Sequence, residues 1–381
     1  MVPAMRRSVA LSLALALLVP SCRFSKVDSN ATVTITGRAV DTAGRPLADR
    51  TVLLFKEGDV ADLVLGVVFT VGTLGGICLL PQAPVVCRKA RTATTDGAGN
   101  YRFEISGRDT QGLIGTESTL DVVVADSTPN GASTTVTFAV RETSVALPDA
   151  RLWDAAARVT EAAGRIRLSW TALPAGAGSK AAFTAQLFDP QRQAAVWSQP
   201  AKGSAADVDA RLLEDHSGAA AVSARTSLSG QGAADVHGVY LSPRVAVRPI
   251  AGAPPSRGRA CLAVTGTATL ATAPQNPCRA TDGDLLTPAR LIAAPGTKGT
   301  VVDGAVVDLG SSRRVQLVVG RGLSGQVLVE LSDDGRTYRT IATGTGVTTA
   351  VSPPGAPTAR FVRLRSPSGL DESLLSEVSV W

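Results

Sequence analysis

VLVELSDDGRTYRTI, residues 327–341, decides the fold. Val327, Val329 and Leu331 recur at every second position, which puts them on one face of an extended strand. Ser332-Asp333-Asp334-Gly335 follows as a turn, with Gly335 free to take a positive φ, and a second strand leaves it. Upstream, Val306-Val307-Asp308-Leu309-Gly310 closes a strand with an acidic, glycine-ended turn. Downstream, in ARFVRLRS (359–366), Val362 and Leu364 share one face while Phe361, Arg363 and Arg365 take the other. The chain ends in SEVSVW (376–381). The last third is therefore expected to be built of short alternating strands.

The composition extends that expectation to the whole chain. Its 381 residues are enough for two to three domains, each with its own core. Hydrophobic residues make up 44%, aromatic residues only 4%, and there are 37 Gly and 22 Pro, a mixture that favours short strands and turns over long helices. The net charge is +6, and loss of Arg6 and Arg7 with a leader would leave +4. So small an excess, with Asp and Glu interspersed, argues against a nucleic-acid partner.

The N-terminus reads as a targeting segment. Arg6-Arg7 precedes an apolar stretch, Val9 to Val19, that is short for a bilayer span. It runs into Leu18-Val19-Pro20-Ser21-Cys22, which resembles the bacterial lipobox. The resemblance implies a signal peptide over 1–21, a lipid on Cys22, a polar tether over 22–31 and a chain exported and anchored to a bacterial membrane. Ordinary secretion, with Cys22 a bystander, is the alternative. Cysteine arithmetic fits the anchor. With Cys22 assigned to lipid, the other four of the five cysteines fall into two local pairs, Cys78 with Cys87 and Cys261 with Cys278, and export permits both disulfides.

Three β-sandwiches are expected after the leader. In residues 32–152, Gly37, Ala39, Asp41, Gly44 and Pro46 open one strand pair, and Thr95, Asp96, Gly99 and Tyr101 recur at its centre. These resemble the carboxypeptidase regulatory-like family, which implies a transthyretin-like sandwich in which such residues are structural. It carries an insert, 58–91, whose stretch Leu63 to Leu80 has no charged residue. Strands of one sandwich on both sides exclude a single membrane crossing. The insert is expected to be a helix or a hairpin, buried on the sandwich, or else touching the bilayer or a partner. Residues 154–249 are similar to fibronectin type III, with Ile166, Leu168 and Trp170 on one strand face and Trp197 as a second core candidate. His216 and His237, the two histidines of the chain, fall there in loop-like sequence. Residues 250–258, with Pro254-Pro255, read as a stiff linker.

Residues 259–381, with Ala280-Thr281-Asp282-Gly283-Asp284 and the strands above, resemble the discoidin or coagulation-factor type C family of galactose-binding-like modules. That implies a jelly roll that binds a ligand. It also implies calcium, the one cofactor expected, between the loop Asp282–Thr287, with Asp284, and Glu377. Hard oxygen donors on a tight loop suit that ion. The opposing reading makes Asp282 a turn cap and Glu377 an exposed charge. In the loop 288–300, Arg290 and Lys298 are the candidate ligand contacts, and they suit an anionic glycan, a protein or a lipid headgroup as well as a neutral sugar. Nothing supports catalysis: the chain has no G-x-S-x-G, phosphate loop or H-E-x-x-H, and its acidic residues read as turn or exposed-strand positions. Two classes emerge. One is a surface-anchored lipoprotein that presents a glycan-binding module. The other is a structural or assembly protein of the cell envelope.

Overall fold

The computed structural model of the chain describes residues 25–57, 87–111, 117–128, 130–162, 164–174, 179–189, 195–248, 252–265, 268–269, 278–285, 304–322, 326–345, 348–366 and 375–381. Cys22, Cys78, Thr287, Arg290, Lys298 and the apolar stretch 63–80 lie outside the described residues. The described chain is all-β, with three 3-10 turns and no α-helix. No helix among the described residues is long and apolar enough to cross a membrane.

The N-terminal unit holds β1 (Thr32–Val40), β2 (Thr51–Glu57), β3 (Cys87–Thr94), β4 (Asn100–Ser106), β5 (Thr119–Ala125), β6 (Ser133–Val140), β7 (Ser144–Ala146) and β8 (Ala150–Arg151). β3 begins at Cys87, so the strand starts inside the stretch 58–91 that the sequence assigns to the insert. β4, β1 and β7 form one sheet, with β8 also on β1. It faces the sheet of β3, β2, β5 and β6 across a core of Val33, Ile35, Phe103, Leu54, Val122 and Phe138. The residues at the centre of this unit make turns. Asp96 accepts the backbone N–H of Ala98 and Asn100, and Gly99 has φ +81° with a Cβ position 2.5 Å from the Ala39 carbonyl. The Tyr101 ring lies over Gly37, whose Cβ would fall 2.2 Å from the tyrosine oxygen.

The middle unit comprises β9 (Arg158–Ala162), β10 (Arg165–Ser169), β11 (Ser179–Phe188), β12 (Ala195–Ala201), β13 (Ala205–Asp209), β14 (Gly218–Ser227), β15 (Ala233–Leu241) and β16 (Val245–Val247). Its larger sheet is continuous with that of the N-terminal unit. β15 pairs antiparallel with β6, from Leu241 opposite Ser133 to Ala233 opposite Val140, so eight strands follow one another in a single sheet and β16 joins it as a branch on β14. Its core contains Ile166 and Leu168 of β10 and Trp170 just beyond it, as their alternation requires. The most deeply buried tryptophan is Trp153, at 0% exposure, with its ring 6.0 Å from that of Phe183.

The C-terminal unit comprises β17 (Cys261–Thr265), β18 (Ala268–Thr269), β19 (Gly304–Arg314), β20 (Val318–Arg321), β21 (Gln326–Ser332), β22 (Arg339–Thr345), β23 (Thr348–Val351), β24 (Thr358–Arg365) and β25 (Glu377–Val380). A six-stranded sheet, β18-β17-β19-β24-β21-β22, faces a three-stranded one, β23-β20-β25. Val327, Val329, Leu331, Val362 and Leu364 fill the space between them. Gly335 takes φ +70° in the β21–β22 turn, and Asp334 accepts the N–H of Arg336 and Thr337, which holds its carboxyl below the usual range. β19 does not stop at Gly310. Gly310 adopts φ +80° at an irregularity between Asp308 and Arg313, and the strand continues to Arg314. Cys261 and Cys278 are disulfide-bonded, with Cα atoms 5.5 Å apart.

The three-stranded sheet is buried on both faces. Val318, Val378 and Val380 point into the C-terminal core, while Leu317, Val319 and Trp381 join the core of the middle unit. Residues 252–258 are part of this joint. Ser256 is 0% exposed, and its hydroxyl accepts the N–H of Val380.

Candidate functional site

β20 and β25 run antiparallel, with Arg321 opposite Glu377 and Val319 opposite Ser379. The two-residue period that sends Val378 and Val380 inward turns Glu377 and Ser379 the other way, toward the middle unit. There they meet the 3-10 turn Ala210–Leu213, whose N-cap Asp209 accepts the Arg211 N–H at 3.0 Å. The turn ends on Glu214, and its φ of +54° lowers the fully buried carboxylate into the joint.

Glu214 is held from both sides. Its Oε2 accepts Arg257 Nη2 at 2.5 Å, and its Oε1 accepts Arg321 Nη1 at 3.4 Å and the Ser379 hydroxyl. Arg321 also donates through Nη1 to Ser379 Oγ at 3.0 Å and through Nη2 to the Leu212 carbonyl at 2.7 Å. Arg257 Nη2 reaches Asp215 Oδ1 at 2.8 Å, and its guanidinium lies against Gly283, where φ is +91° and a Cβ would sit 2.3 Å from Cζ. His216 Nε2 stands 3.0 Å from the Gly283 carbonyl oxygen.

The sequence-predicted loop meets the C-terminal strand here. The Gly283 N–H donates to Glu377 Oε2 at 3.2 Å, and Asp282 Oδ1 accepts the Asp284 N–H at 2.8 Å. Asp282 is exposed, whereas Glu377 is fully buried. Burial, reinforced by the Glu214 carboxylate, pushes Glu377 up to about 9, against the Gly283 hydrogen bond and Arg321. Glu377 Oε1 has no hydrogen-bond partner. The expectation that acidic residues occupy turns or exposed strand positions therefore fails at this joint and on the opposite sheet. Glu214 and Glu377 are fully buried, as is Glu330 at 4% exposure beside Arg363.

Asp282, Asp284 and Glu377, the ligands expected for calcium, share this joint, but their ligand atoms do not all lie within 4.8 Å of one another. Four carboxyl groups (Glu214, Asp215, Asp282, Glu377) lie around two guanidiniums (Arg257, Arg321); Glu377, raised to about 9, favours its neutral form, and one of its buried oxygens has no partner. Glu377, Asp282 and Asp284 would hold the ion, which would supply the charge that keeps Glu377 ionised. Among the described residues, the group of three such side chains with ligand atoms within 4.8 Å of one another is Glu214, Asp215 and His216. Both of its carboxylates are committed to Arg257.

The described aromatic residues of the C-terminal unit are engaged elsewhere. Arg363 stacks 3.9 Å from the Tyr338 ring centroid, Arg360 lies 4.8 Å over Phe361, and Trp381 packs on the middle unit. None of the three is a free pyranose platform. Sequence reading missed Glu214, Arg257 and Arg321; no motif marks them, because they meet only when the two units dock.

No protein-family model matches the chain, and no curated protein does. Among solved structures, CpGH89CBM32-4 from Clostridium perfringens is 15% identical, with 33% of this chain and 97% of that chain aligned at a TM-score of 0.22. The same module in complex with GlcNAc-α-1,4-galactose is 17% identical over 33% of this chain and 92% of its own, with a TM-score of 0.22. A mutant of the lectin-binding domain of lectinolysin, complexed with Lewis b, is 18% identical over 33% and 94%, again with a TM-score of 0.22. These likenesses extend over about a third of this chain.

Proposed function

We propose that this chain is a non-catalytic, exported lipoprotein that presents its C-terminal sandwich as a carbohydrate-binding module, with a calcium ion clipping the ligand-side loop. The observation that supports the reading best is the fastening of the loop 278–285 to the terminal strand, through Gly283 and the fully buried Glu377. Arg290 and Lys298, the candidate ligand contacts, follow that loop in the sequence. Two cationic side chains without a free aromatic platform suit an acidic glycan better than a neutral one. On a glycan array, the full-length chain should bind uronic-acid, sulfated or sialylated sugars, and Arg290→Ala with Lys298→Ala should remove the signal. Silence across the array would instead favour the envelope-assembly reading, in which the same surface packs against a protein.

The anchor rests on the residues around Cys22. Mass spectrometry of membrane-extracted protein should find a mature N-terminus at Cys22 carrying acyl mass, and Cys22→Ala should release a folded protein. A soluble wild-type protein that begins elsewhere contradicts the anchor.

A further inference from the structure

We propose that the end of the C-terminal sandwich bearing Arg313 and Arg314 is a contact surface for an acidic polysaccharide. Strand β19 runs past its core-facing part there. Ala305, Val307 and Leu309 alternate into the sandwich, but Ser311, Ser312, Arg313 and Arg314 are all exposed. An extension that buries no side chain gains nothing from the core, so other contacts hold it. It pairs with Ala359 and Thr358 of β24. Just before it, the Asp308 carboxylate accepts the Gly310 N–H at 2.8 Å and Arg360 Nε and Nη2, each at 2.9 Å.

More arginines gather at this end. Ser312 Oγ donates to Asp333 Oδ1 at 3.2 Å, which brings the β21–β22 turn and its exposed Arg336 alongside. Arg259 lies close by, with Nη1 2.9 Å from the position a Gly310 Cβ would take. The neighbouring acids are already engaged. Asp308 holds Arg360, Asp333 takes the Ser312 hydroxyl, and Asp334 accepts the N–H groups of Arg336 and Thr337. Among the described residues no ion pair engages Arg313, Arg314 or Arg336. Guanidiniums spread along a projecting strand suit a chain of carboxylates or sulfates, which they meet in bidentate fashion. Phe361 is half-buried beneath Arg360, so it offers no free face to a base and no anchor to a bilayer. One exposed ion pair contributes little, so this surface requires a polymer and does not retain the short sugars of an array. It goes beyond the reading of Arg290 and Lys298 and does not depend on it.

Binding of the full-length chain to immobilised polygalacturonate and dextran sulfate tests this. Binding should be clear at about 50 mM salt and roughly tenfold weaker at about 300 mM, because exposed charges are screened. Arg313→Gln with Arg314→Gln should weaken it about tenfold, the scale of two exposed charge contacts, and leave melting unchanged, as surface substitutions do. Arg290→Ala with Lys298→Ala should leave it within about twofold of wild type. If that second variant is the one that loses the polymers, the proposal is overturned and the loop reading stands. Equal affinity in wild type and the Arg313→Gln, Arg314→Gln variant overturns it, as does binding to phosphatidylglycerol vesicles in place of the polymers. Absence of binding to either polymer also overturns it, and leaves the glycan array to decide on Arg290 and Lys298.

Discussion

Arg321→Met should lower the unfolding free energy of the full-length chain by about 3 kcal/mol, the lower end of the cost of breaking a buried ion pair. Arg321 is 2% exposed and makes hydrogen bonds to Glu214, Ser379 and the Leu212 carbonyl. Methionine fills much of the volume, so the loss reports the charge left behind rather than a cavity. Glu214 keeps Arg257 and Ser379, which is why the cost is not larger. Urea titration measures it as a shift in midpoint with little change in slope. A variant within about 0.5 kcal/mol of wild type, the range typical of surface positions, would mean that the joint between the two units is solvated.

Trp153→Ala should cost a further-reaching 3–5 kcal/mol or so, as large aromatic truncations in cores do. Trp153 is wholly buried and sits with Phe183, Ile166 and Leu168. The middle unit shares a ladder with the N-terminal unit and a core with the C-terminal one. The loss should therefore appear in one common transition, followed by fluorescence and by circular dichroism alike. Separate melting of the three units, with only one of them shifted, would contradict that coupling.

Local alternation makes much of the C-terminal unit legible. Val327, Val329 and Leu331 face one way because the strand period is two, and Gly335 takes the positive φ its turn requires. Pairwise readings fail where a second surface intervenes. In SEVSVW one reading makes Glu377 an exposed charge, but the middle unit covers that side of the strand and both Glu377 and Ser379 are buried. The same blindness applies to Pro254-Pro255: the segment reads as a spacer, while Ser256 and Arg257 inside it bind the terminal strand and Glu214. Trp153 escapes notice because it stands between two expected domains, and the ladder between β6 and β15 joins strands about a hundred residues apart, beyond any local pattern.

The central claim is that Glu377 belongs to a cation site. Its carboxyl sits well above the ordinary value of 4.5, at about 9, because it is buried beside Glu214. Without a cation the stability it contributes is complete below pH 4.5 and is lost as pH rises toward 9; a bound divalent cation removes that loss. Melting of the full-length chain at pH 8, with calcium or with chelator, is the direct measurement. A hundredfold excess over the dissociation constant adds about 2.7 kcal/mol, so calcium should raise the melting temperature by roughly 5 °C, and Glu377→Ala should abolish the difference. Curves that overlay in wild type would contradict the account and leave the 278–285 loop a turn held by its hydrogen bonds and the Cys261–Cys278 disulfide.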